Sequence, residues 1–230
     1  PADHARNTQV DGAGLVDEFD AANRKALRVA RDARDERDAR DERGTTDAGD
    51  LEAERPAPRD RPVWVAGSMS TTTFSTGLDR SVIEAAGGHS DGYRAQAEII
   101  ADVGVDLIML EMMRDVTETR LCLEAALETG LPVWVGFSAE RSAQGDLLLY
   151  GSQTPFEEGV SRVLDGSGEP QAVGVMHSEI ELTPDALQVV GNVWGGPAYA
   201  YPHHGVFEIP NWRFDNTLTP EEFASAAVEW

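Results

Sequence analysis

Cysteine is nearly absent: Cys122 is the single one in 230 residues. One thiol closes no intrachain disulfide and builds no cysteine-based zinc knuckle from this chain alone, and such sparing use fits a reducing compartment. Lysine is as scarce. Lys25 is the only one, so arginine supplies almost all the positive charge. Basic charge as a whole is short, with 19 Lys and Arg against 41 Asp and Glu, a formal net charge of −22 and an isoelectric point near 4.4. A surface so acidic repels phosphate, which excludes a generic nucleic-acid binder. Long apolar runs are missing too. No stretch approaches the roughly 18 residues a membrane helix needs, and the opening PADHARNTQV lacks the apolar centre of a secretion signal. The expectation is a soluble, cytoplasmic protein.

What is present suffices for one sizeable core, at 41% hydrophobic residues. Residues 1–61 carry 12 basic and 16 acidic side chains, whereas residues 62–230 carry 7 and 25. The acid excess therefore belongs to the part that reads as folded. Acidic surface with almost no lysine is the composition expected of a halophile's cytosol, where molar salt screens self-repulsion.

Along the chain, Leu15, Phe19, Ala22, Ala26, Val29, Ala30 and Ala33 recur at three- and four-residue spacing, which predicts an amphipathic helix within 15–43. Beyond Ala33 the stripe stops and RDARDERDARDER continues as a solvated charged face. Three segments follow from this: 1–37 with the helix, a charged, proline-containing insertion or linker at 38–61, and a core of βα repeats at 62–230. In that core, VWVAG at 63–67, DLIML at 106–110, PVWVGF at 132–137, AVGVM at 172–176 and AYAY at 198–201 read as buried strands. Helical patterns separate them. Strand and helix in alternation imply a parallel sheet with right-handed crossovers.

In such folds chemistry gathers at the carboxyl ends of strands. Those ends hold Ser68, Glu111, Ser138, His177 and the pair His203 and His204. A carboxylate directly after four apolar strand residues is costly unless it meets a polar pocket, so Glu111 reads as ligand-facing, or as an acid set at a helix N-terminus. Imidazoles at neighbouring strand ends can bind a metal or take a proton, or serve as hydrogen-bonded rim residues. No G-x-G-x-x-G, P-loop or H-E-x-x-H motif occurs.

Taken in order, ANRKALRVARDARDE, RPVWVAGS, ADVGVDLIMLEMM, TGLPVWVGFS, YGSQTPFEEGV, AVGVMHS, YAYPHHG and TPEEFASAAVEW resemble successive blocks of the homocysteine S-methyltransferase family. The resemblance implies an α/β fold of the (β/α)8 TIM-barrel type, and an enzyme that moves a methyl group from a small methyl donor onto the thiol of homocysteine to give methionine. It implies zinc as cofactor, because a metal-bound thiol is deprotonated at neutral pH. On the matching positions, Glu111 stands where the family holds the amino group of homocysteine, and Ser68 in its G-S-x-G-P turn. His203 stands in place of the Asn of Y-P-N. His177 replaces the first zinc cysteine of G-V-N-C, which leaves it the metal candidate, with His204 the weaker one. The paired zinc cysteines of the family would follow Trp230, and two barrel strands would precede the first helix. The chain thus resembles an incomplete barrel of about five strands out of eight, completed by flanking sequence or by a partner chain.

Three functions remain open on these residues. One is a homocysteine S-methyltransferase-like domain with Glu111 binding substrate. Another is a catalytically inactive barrel fragment acting as a subunit or interaction module. The third is a metal site of His177, His203 and His204 running other chemistry.

Overall fold

A computed structural model describes residues 19–43, 62–71, 90–166, 168–208, 211–214 and 217–230. Helix α1 (Phe19–Arg43) is followed by β1 (Ala66–Ser70), α2 (Ser90–Val103), β2 (Leu107–Met113), α3 (Val116–Leu127) and β3 (Val133–Phe137). A hairpin, β4 (Ala139–Arg141) and β5 (Leu147–Leu149), leads to α4 (Phe156–Leu164), β6 (Ala172–Glu179), α5 (Thr183–Val193) and β7 (Ala198–His203). A second hairpin, β8 (Val206–Glu208) and β9 (Asn211–Arg213), precedes α6 (Pro220–Val228).

The main sheet has five strands in the order β1-β2-β3-β6-β7, all parallel. Each strand lies beside its predecessor, with none of the reversal that marks a doubly wound sheet. Helices α1 to α5 likewise pack each against the next. They form one layer on one face, as in the wall of a (β/α)8 barrel. Among the described residues the wall is open, with β1 and β7 each paired on one side only.

Period-two alternation assigns the faces. Ile108, Leu110, Val133, Val135, Phe137, Val173 and Val175 are fully buried in the core formed with the helices. Phe137 meets Phe156 of α4 edge to face, with ring centroids 6.3 Å apart. The alternate residues, including Ser68, Met109, Glu111, Trp134 and Tyr199, line the inner face.

Two expectations change on the way. Strand β1 runs three residues later than 63–67, and Val63 and Trp64 are exposed. Its ladder with β2 begins at Ala66 opposite Leu107, because the Val65 N–H is taken by the Asp106 carboxylate at 2.6 Å. The docked face of α1 also differs from the apolar stripe. Ala26, Val29, Ala30 and Ala33 are exposed, while Leu15 and the side chains of Phe19 and Ala22 lie outside the described residues. Leu27 reaches the core instead, flanked by Arg24, Arg31 and Arg34. Arg24 pairs with Asp102 at 3.2 Å, Arg34 with Asp106 at 2.7 Å, and Arg31 donates to the carbonyl of Val103, an orphan of the last turn of α2. Alanines bury too little area to outweigh those three anchors.

Candidate active site at the strand ends

Beyond Leu110, which pairs with Val135, two residues of β2, Glu111 and Met112, stand opposite the single Gly136 of β3 before Met113 pairs with Phe137. Strand β6 repeats the device. His177 and Ser178 stand opposite Pro202 of β7, between the pairs Met176–Tyr201 and Glu179–His203. Each is a β-bulge, and each holds a residue at positive φ: Met112 at 58° and His177 at 46°. These are the two non-glycine residues with positive φ among the described residues, a conformation costing of order 1–3 kcal/mol each. The surroundings fix it on β6. The Ser138 hydroxyl donates to the Met176 carbonyl at 2.9 Å, as does the Ser178 hydroxyl, and Ser178 Oγ accepts from the Ala139 N–H at 2.9 Å.

The bulges re-aim two side chains toward each other. His177 Nε2 lies 3.5 Å from Glu111 Oε2, with both groups about one-third exposed. Ser68, on the neighbouring β1, faces the same carboxylate and helps keep it ionised. The His177 hydrogen bond holds the Glu111 carboxyl below its ordinary value; burial works against this, and Ser68 and the His177 charge assist it. An ionised, half-buried carboxylate with two donors at the rim of a parallel sheet can take a cationic group such as an ammonium.

The structure therefore gathers Ser68, Glu111 and His177. The His177 ring meets Tyr201 edge to face at 5.9 Å. His203 adjoins the group through the His177 backbone, and burial foremost lowers its pKa, helped by His177 and by His204 while Glu179 opposes. His204 turns away, its Nδ1 accepting from the Leu218 N–H at 2.7 Å.

A residue the sequence reading passed over belongs here. Tyr199 of β7 stands on the inner face opposite Gly174, which stands opposite Gly136. One row of the sheet thus runs Ser70, Glu111, Gly136, Gly174, Tyr199. With no Cβ on the intervening strands, the Tyr199 side chain lies across Gly174 and brings its hydroxyl over Gly136. Its ring tilts against Trp134, with centroids 5.3 Å apart. Burial, followed by the Glu111 charge, pushes the phenol pKa up, so it stays protonated. Glycine in two adjacent, otherwise apolar strands was the available signal.

The residues do not fit a thiolate zinc centre. Cys122 sits fully buried on α3 in the helix layer, its thiol pKa pushed up by burial and then by Glu118. No group of three His, Cys, Asp or Glu side chains converges in metal-holding geometry among the described residues.

A singly wound βα wall carrying a polar cluster at its strand carboxyl ends has the architecture of a TIM-barrel enzyme. The sequence profile of the homocysteine S-methyltransferase family matches residues 4–230, and the chain belongs to that family. It is 24% identical over 227 residues to a selenocysteine methyltransferase of Astragalus bisulcatus, covering 93% of this chain and 64% of that relative's length. Its fold matches the Escherichia coli homocysteine methyltransferase MmuM. The oxidized form superposes with a TM-score of 0.63 at 19% identity, covering 96% of this chain and 66% of that one. The metallated form gives 0.57 at 21%, covering 88% and 62%. None of the described helices is long and apolar enough to cross a membrane.

Proposed function

We propose that this chain is the amino-acid-binding part of a methyltransferase that acts on homocysteine, with Glu111 receiving the substrate ammonium. The observation that carries the reading is the Glu111 carboxylate itself, ionised and partly exposed at a strand end, with Ser68 and His177 on its oxygens. Family membership supplies the substrate class, homocysteine with a small methyl donor. Ser68 orients the carboxylate. His177 pairs with it in the free protein and gives way to an arriving ammonium, and His203 supports the rim. Zinc is the cofactor this reading expects of a whole family member; its thiolates do not come from the described residues, so no step of this chain's chemistry runs through it. A cytoplasmic setting rich in salt belongs to the same reading and rests on the acid excess.

Calorimetric titration of the 230-residue chain with homocysteine tests it. Heat of binding is expected from the native sequence and its loss from Glu111→Gln, with the melting temperature of the variant within a few degrees, because partly exposed changes usually stay within about 0.5 kcal/mol. Unaltered binding in Glu111→Gln, or an unfolded variant, overturns the assignment.

A further inference from the structure

Tyr199 carries a cost that the fold itself does not explain. Its Oη is shielded from solvent and has no hydrogen-bond partner among the described residues. A buried phenol normally finds one, and leaving it without is costly. Simple packing would be served by phenylalanine. The hydroxyl is also specifically placed, 2.9 Å from where a Cβ on Gly136 would stand. Gly136 is level with Glu111 on the adjacent strand, about 4.8 Å away by strand spacing. A neutral donor thus stands one strand from an anion, over two glycines whose side-chain space is taken by Met176 and by the Tyr199 ring itself.

That spacing suits a ligand carrying an ammonium for Glu111 and, about three bonds away, an acceptor for the phenol. An α-amino acid has this pattern, its carboxylate and ammonium sharing one carbon. Resting on the Glu111 reading above, we propose that Tyr199 determines specificity at this site, its Oη–H donating to the carboxylate of the bound amino acid. The thioether of Met176 covers the same spot over Gly136 and is the group that gives way. It is unbranched, with three rotatable bonds, and repacks easily. The arrangement favours amino acids over amines without a carboxylate, since only the former give the buried phenol a partner.

The test is calorimetry on the full chain and Tyr199→Phe with two ligands, homocysteine and 3-aminopropane-1-thiol, the same skeleton without the carboxylate. Tyr199→Phe is expected to weaken homocysteine by about tenfold or more, the range for a hydrogen bond to a charged group. It should leave the amine unchanged and the melting temperature equal or higher. Equal homocysteine affinity in Tyr199→Phe, equal weakening of both ligands, or a melting temperature several degrees lower overturns the proposal. The two readings fail differently. If the native chain binds homocysteine, loses it in Glu111→Gln and keeps it in Tyr199→Phe, the Tyr199 role alone falls. If the native chain binds neither ligand, the Glu111 reading falls and Tyr199 with it.

Discussion

Tyr199 lies so closely across Gly174 that a Cβ on this glycine would stand 2.6 Å from ring carbons Cδ1 and Cγ, and nearer still to the Tyr199 carbonyl oxygen. That oxygen is backbone of the paired strand and cannot move aside without opening the β6–β7 ladder. At Gly136 the nearest atoms are instead Sδ and Cγ of the Met176 side chain, which can rotate away, followed by the Tyr199 hydroxyl. Gly174→Ala is therefore expected to destabilise by the 1–3 kcal/mol usual for overpacking, about, and Gly136→Ala by distinctly less. Urea midpoints of the two variants check the order, and equal midpoints would contradict the backbone clash.

Acid should weaken the protein in two stages. His203 has its pKa lowered from 6.5 in the folded state, chiefly by burial, so the unfolded chain binds the proton first and stability declines as pH falls below about 6.5. Glu111 has its pKa lowered from 4.5, chiefly by the His177 hydrogen bond, so its contribution is whole above 4.5 and is lost as pH falls through the folded value. Both terms have the same sign in separate windows. Denaturation midpoints followed from about pH 7 to pH 3 should show a slope in each window. His203→Gln should flatten the upper one and Glu111→Gln the lower.

Salt offers a third measurement. With 25 acids against 7 bases over residues 62–230, the compact state is opposed by its own charge, and screening relieves that opposition. The thermal midpoint is expected to climb from low to molar KCl. A flat or falling curve would remove the halophilic interpretation of the composition.

Legibility in the sequence followed the range of the interactions. The five parallel strands were readable because each is a short apolar run between helical patterns, and β2, β3, β6 and β7 begin within a residue of where those runs begin. Strand β1 was misplaced because Asp106, forty-one residues from Val65, decides where its ladder starts. The α1 face was misread because periodicity scores alanines as apolar and takes no account of where arginines find carbonyls and carboxylates. Glu111 was legible as a charge in the wrong place. The bulges were not, since Met112 and His177 are not residue types that advertise a left-handed backbone. The hairpin β4–β5 escaped for a similar reason, its short strands being stabilised by docking on the end of β6.

The attachment of α1 gives the molecule a divided response to its surroundings. That helix is fastened largely by guanidinium groups, Arg24 to Asp102 and Arg34 to Asp106, at sites water can reach. Ions that quiet repulsion across the sheet also compete for those fasteners. The same brine that tightens the βα wall weakens the ionic straps that hold the helix to its outside.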